Sequence, residues 1–248
     1  MAAAQPSPPE VVRYGADADQ VANVHRPAGG GPWPVVALLH GGFWRDRYDR
    51  TLMTPLANDV AARGYLAWNV EYRRVGRGGG WPGTLDDVGA ALDALREVDG
   101  ADTARVVTVG HSAGGHLALW LAARDGAVRP RAAVSLAGVC DLLHGAELGL
   151  GAGAVEGFLG GSPQEVAERY ADASPAAHLP LGVPQLLVHG GRDDVVPPVV
   201  SRAYAEAARA AGDDVELVED AGADHVDVID PGHALWAAVL ERLPALLP

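Results

Sequence analysis

Three short segments of the 248-residue chain hold side chains whose types and spacing suit attack on a carbonyl carbon. Gly110-His111-Ser112-Ala113-Gly114-Gly115 follows an apolar run at 105–110 and opens a helix-forming stretch, so Ser112 falls on a tight strand-to-helix turn with the G-x-S-x-G pattern. Small neighbours are what such a turn needs, because a serine held at positive φ must pack closely against adjacent strands. A serine hydroxyl is a poor nucleophile unless a base takes its proton and a carboxylate orients that base. Both types follow. His189-Gly190-Gly191-Arg192-Asp193-Asp194-Val195-Val196-Pro197 puts two carboxylates in the loop after a buried run, and Gly222-Ala223-Asp224-His225 puts His225 after the last short strand. The chain order is therefore serine, acid, histidine.

Such groups act only if a rigid frame holds them, and the apolar pattern supplies one. Short apolar runs bounded by Gly, Pro or Asp predict eight strands, at 11–14, 20–25, 34–40, 66–71, 105–110, 132–137, 184–190 and 215–218. Helical spacing falls at 51–63, 84–98, 113–124, 163–170, 199–211 and 231–246. From the third strand onward strand and helix alternate, which predicts a mostly parallel eight-stranded sheet with helices on both faces and an antiparallel edge made by the first two strands. Ligands of such sheets bind beyond the carboxyl ends of the strands, where all three segments sit. The long connection at 138–183 is expected to form a small cap within one domain spanning 1–248, with the glycine-rich stretch at 149–153 flexible.

Composition removes other chemistries. All 19 basic residues are arginine, so lysine-centred phosphate loops and Schiff bases are excluded. A formal charge of -13 argues against nucleic acid and points to a neutral or cationic small molecule. Cys140 is the single cysteine and reads as a small buried hydrophobe, so no internal disulfide can form. His111 and His116 are five apart, the wrong spacing for a shared metal on one helical face, and no metal or cofactor is expected. Residues 1–10 have neither a basic start nor an apolar run, and no stretch is apolar enough for a bilayer, so no membrane contact and a cytoplasmic location are expected.

Together the segments resemble the α/β-hydrolases over essentially the whole chain. That resemblance implies the triad Ser112, Asp193 and His225, with Asp193 acting because it matches the family's acid loop in His189-Gly-x-x-Asp193-x-x-Val196-Pro197 and Asp194 a bystander. His40-Gly41-Gly42-Phe43-Trp44 is similar to the HGGxW motif of the arylformamidase branch, near the HGGG motif of hormone-sensitive-lipase-like esterases. Glycines there let the backbone approach a substrate and leave amides free, so Gly42 and Phe43, with Ala113, are expected to form the oxyanion hole. Trp44 and Trp81, in loops beside those amides, are expected to bind an aromatic part of the substrate, and His40 to brace its own loop. Glu71-Tyr72-Arg73 and the segment 81–87 resemble scaffold motifs of the same esterases, with Thr84 or Asp87 helping to start a helix.

The resulting expectation is a cofactor-free serine hydrolase of small carboxylic esters or aryl formamides. A small prolyl-oligopeptidase-like peptidase shares the core and triad order, and a non-catalytic hydrolase-like binding protein is the reading from another class. Oligomeric state is not specified by these residues.

Overall fold

Successive residues of the strand Trp33–Leu39 enter different layers: Val35, Ala37 and Leu39 join one apolar cluster, Val36 and Leu38 another. A strand buried on both faces reads as an unbroken apolar run, which is why it stands out in the sequence. The computed structural model describes residues 9–247, and the reading of residues 1–8 as lacking a leader lies outside them. The eight strands are β1 Glu10–Arg13, β2 Val21–His25, β3 Trp33–Leu39, β4 Leu66–Val70, β5 Ala101–His111, β6 Ala132–Leu136, β7 Gln185–Gly190 and β8 Val215–Asp220. They lie in one sheet in the order β1-β2-β4-β3-β5-β6-β7-β8. β1 pairs antiparallel with β2, and β2 with β4; every other neighbouring pair is parallel.

Each parallel crossover needs a helix to bring the chain back. The helices are α1 Thr54–Ala62, α2 Gly83–Asp93, α3 Ala113–Ala123, α4 Leu142–Glu147, α5 Ala154–Leu159, α6 Ala167–Ala173, α7 Val199–Ala210 and α8 Ala234–Leu246. Leu56, Ala57 and Val60 of α1 share a core with Trp236, Val239 and Leu243 of α8, while α2, α3 and α7 pack on the opposite side. Helix α3 is apolar nearly all round and correspondingly buried, which fixes its amino end at the centre of the sheet's carboxyl edge.

Three local expectations change. β5 starts four residues earlier than predicted, because Ala101 and Asp102 pair with Trp33 and Pro34 ahead of a register shift at Pro34/Val35. The connection between β6 and β7 is ordered into α4, α5 and α6 rather than one helix at 163–170, and Val155, Phe158, Leu159 and Tyr170 bury themselves in the main core. Thr84 and Asp87 do not cap α2. Thr84 Oγ1 donates to the Arg73 carbonyl (2.6 Å), and Asp87 takes hydrogen bonds from the Arg73 amide (2.9 Å) and guanidinium (2.6 and 2.8 Å), so both tie the loop after β4 to α2. Among the described residues no helix is long and apolar enough to cross a membrane.

Candidate active site

Ser112 lies between the end of β5 and the first residue of α3 with φ 55° and ψ -118°. A non-glycine residue so placed costs on the order of 1–3 kcal/mol, and it persists only where its surroundings enforce it. Here they do. A Cβ on Gly110 would fall on the Gly114 carbonyl, and one on Gly114 would fall on the Leu39 carbonyl, so only glycine allows β5, the turn and β3 to close on one another. The Ser112 amide donates to the Leu136 carbonyl (2.8 Å), pinning the turn to β6. Its side chain makes no capping hydrogen bond and lines a cavity of about 370 Å³ that it shares with Gly42, Phe43 and His225.

The loop after β7 delivers the carboxylate. Asp193 is 5% exposed; its Oδ1 accepts the amides of Val195 and Val196 (both 2.9 Å) and its Oδ2 meets His225 Nδ1 at 2.7 Å. His189 Nε2 is 3.1 Å from the same Oδ2 and 2.8 Å from the Val196 carbonyl; both are acceptors, so Nε2 carries the proton and Nδ1 accepts from the Ser201 hydroxyl (2.7 Å). Burial opposes ionisation of Asp193, but the hydrogen bonds from His189 and His225, aided by the two amides, hold its carboxyl far below the usual range. Asp194 is exposed and points elsewhere. The geometry thus separates two adjacent acids that the residues alone leave open.

On the other side of Ser112, the loop after β3 packs Gly41 so tightly that a Cβ would come within 3.0 Å of Ser112 Cβ. Gly42, Phe43 and Trp44 have φ of 119°, 54° and 56°, a run of left-handed residues that turns the chain sharply back. Neither the Gly42 nor the Phe43 amide donates to any described residue. Ala113 opens α3, where the first amides lack intrahelical acceptors and the helix dipole is positive. His40 braces this loop as expected: its ring reaches the Gly41 carbonyl (2.7 Å) and Glu71 Oε1 (3.0 Å) and stacks on Tyr72 at 4.3 Å, whose hydroxyl donates to the His40 carbonyl (2.7 Å).

The two tryptophans do not meet the cavity. Trp44 is 0% exposed; the left-handed run swings its ring inward, where it stacks on Phe158 (4.7 Å) and Nε1 donates to His116 Nδ1 (3.2 Å). Trp81 is held against α6 by Asp172 (2.6 Å), with the Arg169 guanidinium 4.8 Å over its ring. Phe43, Arg45, Arg47 and Tyr48 line the cavity instead. His111, weighed in the sequence only as a metal ligand, lies next to the serine, donates from Nε2 to the His225 carbonyl (2.9 Å) and so steadies the loop carrying that histidine. A hollow of about 400 Å³ beside α4 and α6, lined by Asp141, Leu143 and Tyr170, holds no comparable constellation. Cys140 is buried, which pushes its thiol up to about 12. No group of three or more His, Cys, Asp or Glu suited to a metal occurs among the described residues.

Burial pushes the His111 imidazole down to about 3, with the nearby His225 ring adding to the effect, and burial alone pushes His116 down to about 4. In both, the folded pKa lies below the unfolded value near 6.5, so the unfolded chain takes up protons first. Stability is therefore unaffected above about pH 6.5 and falls as the pH drops toward 4, by up to about 1.4 kcal/mol per unit for each histidine. Melting curves from pH 8 to 4 should show the decline beginning near 6.5. A melting temperature constant down to pH 5 would show that these rings take up protons in the fold.

An eight-stranded, mostly parallel sheet with a serine on the β5–α3 turn, an acid after β7 and a histidine after β8 defines an α/β-hydrolase. The chain belongs to the BD-FAE family, whose pattern it matches over residues 23–207. It is 30% identical over 202 residues to esterase LipQ of Mycobacterium tuberculosis (strain ATCC 25618 / H37Rv), a match that takes in 72% of this chain and 46% of LipQ. The chain thus spans about half the length of that relative. Among solved structures, butyrate-bound esterase 2 of the Planctomycetes species Thermogutta terrifontis superposes with a TM-score of 0.74 at 25% identity, covering 96% of this chain and 91% of the other. A truncated carbohydrate esterase from gut microbiota reaches a TM-score of 0.85 at 16% identity, covering 98% of both chains, and shares the fold.

Proposed function

We propose that the chain is a serine hydrolase that cleaves small carboxylic esters through an acyl-enzyme. The observation that carries this reading is the buried Asp193–His225 pair (2.7 Å) opening onto the same cavity as Ser112, with the Gly42 and Phe43 amides unspent beside it. Asp193 holds Nδ1–H, which leaves Nε2 of His225 as the lone pair facing the cavity. In the reaction His225 takes the Ser112 proton as Oγ bonds to the substrate carbonyl carbon; the two side chains line one cavity without a hydrogen bond between them in the free protein, and that bond forms as substrate binds. The amides of Gly42, Phe43 and Ala113 receive the oxyanion, each worth about 3 kcal/mol in the transition state. The carbonyl–oxygen bond to the leaving alcohol then breaks and His225 returns its proton to that oxygen. Water, deprotonated by His225, releases the acid and restores Ser112.

The chain's likeness to LipQ and to esterase 2 supports ester cleavage, and Phe43 and Tyr48 in the cavity wall support an aryl leaving group, including the aryl amine of a formamide. The test is a panel of 4-nitrophenyl esters beside N-formylkynurenine, run with the wild type. Turnover of esters is the expected result. Failure to cleave any activated ester would overturn the reading, and cleavage of esters without N-formylkynurenine would confine it to esters.

Acyl length should be limited. Helices α4 to α6 pack down onto the core and add no residue to the cavity, whose apolar wall of Leu52, Val195, Val226 and Ile229 gives way to the exposed Arg45 and Arg47, so a chain longer than the cavity would lie against water and charge. Each methylene left unburied forgoes about 0.8 kcal/mol of binding. Across 4-nitrophenyl acetate, butyrate, octanoate and decanoate, kcat/KM should peak at butyrate or shorter; a maximum at decanoate would contradict this limit on acyl length.

A further inference from the structure

The geometry points to a preference at this same site for aryl esters whose leaving group carries a carboxylate, an inference that rests on the ester-hydrolase reading. The chain as a whole is acidic, at -13, and that figure alone favours neutral or cationic substrates. The cavity has the opposite local character. Its lining includes Arg45 and Arg47 and no carboxylate, within the loop that also supplies the Gly42 and Phe43 amides.

The pairing of nearby arginines sharpens the contrast. Arg50 lies 3.5 Å from Glu71, Arg73 bonds Asp87 at 2.6 Å, Arg74 meets Asp19 at 2.9 Å and Arg77 meets Asp19 at 3.3 Å. Arg45 and Arg47 form no ion pair among the described residues. Of the acids closest to them in sequence, Asp49 lines a shallow hollow together with Arg47 but spends its Oδ1 on the Thr51 amide at 2.8 Å and on the Thr51 hydroxyl, and Asp46 lines a separate hollow with Asp17, Asp19 and Arg77. Arg45 spends one N–H on the Ala152 carbonyl (3.3 Å), which ties it to the turn between α4 and α5, and the Arg47 guanidinium rests 5.4 Å over the Tyr48 ring. Both keep donors for a ligand. A guanidinium suits a planar carboxylate, since its forked N–H groups match both oxygens. Phe43 and Tyr48 flank the same space with aromatic faces. Aromatic walls near the oxyanion amides and unpaired cations at the rim together match a ring bearing a carboxylate.

The experiment compares 4-acetoxybenzoate with its methyl ester, which has the same acetyl group and nearly the same shape without the charge. Wild type, Arg47→Gln and the Arg45→Gln/Arg47→Gln double variant are assayed for kcat/KM on both. Taking the anionic-to-neutral ratio in each protein, then comparing proteins, cancels the intrinsic difference between the two phenols. The ratio should fall about fivefold in the single variant and at least about tenfold in the double variant, as expected for one and two solvent-exposed charge contacts. In the wild type it should fall toward the double-variant value in about 0.5 M salt, where exposed charges are screened within a few ångströms. Arg47 is exposed and, among the described residues, makes no side-chain hydrogen bond or ion pair, resting only over the adjacent Tyr48 ring, so its single substitution keeps the test clear of folding effects. Equal ratios in all three proteins would overturn the anionic preference while ester cleavage stands. Cleavage of neither ester by the wild type would overturn the ester-hydrolase reading and this inference with it.

Discussion

Ser112→Ala should lower kcat on a 4-nitrophenyl ester by about six orders of magnitude, the size of loss expected when a nucleophile that acts as one unit with its base is removed. The same change should leave the fold intact. Alanine keeps the Cβ, so the strain at φ 55° is unaltered, and the hydroxyl lost makes no capping bond. Although Ser112 is buried, its hydroxyl faces the cavity and its loss leaves no described group without a hydrogen-bond partner, so the melting temperature should barely move. Activity near wild type in the purified variant would remove Ser112 from the mechanism, and a collapsed melting temperature would assign it a structural part.

Asp193→Asn should cost about four orders of magnitude in kcat, whereas Asp194→Asn should change it by less than about threefold. An amide at position 193 offers an N–H where His225 Nδ1 needs an acceptor and favours the tautomer that blocks Nε2, a change of about 10⁴ in a serine protease triad. It also faces His189 Nε2–H and the amides of Val195 and Val196, donors all, with one oxygen fewer to satisfy them. The neighbouring carboxylate is exposed and has no such partners. Equal losses from both substitutions, or the larger loss at 194, would show that the loop presents the other acid to His225.

Much of this arrangement is written in local pattern. The buried runs of β3 to β7 are apolar on both faces, and glycines that tolerate no Cβ frame Ser112, so the sheet and the elbow are legible from composition along the chain. Trp44 is different. HGGFW reads as a pocket-lining tryptophan until two consecutive left-handed residues, Phe43 and Trp44, reverse the chain and bury the ring against Phe158. Backbone handedness at non-glycine positions leaves little mark in residue type. α4 and α5, of six residues each, are too short to show a helical period, and they hold their shape through Leu142 of the first and Val155, Phe158 and Leu159 of the second in a core assembled from distant strands. The same holds for His111, whose bond to the His225 carbonyl spans 114 positions, and for the arginine rim, which exists only because the loop after β3 curls over the cavity.

The central claim, that Ser112 is a nucleophile activated by the Asp193–His225 pair, can be read directly from covalent trapping. The protein would be treated with diisopropyl fluorophosphate, whose phosphorus is attacked by an activated serine oxygen with loss of fluoride, and then digested for peptide mass spectrometry. One diisopropylphosphoryl group per chain, located on Ser112, formed far more slowly in Asp193→Asn and absent from Ser112→Ala, is the predicted result. No adduct on the intact protein, or an adduct on any other residue that persists in Ser112→Ala, would contradict it.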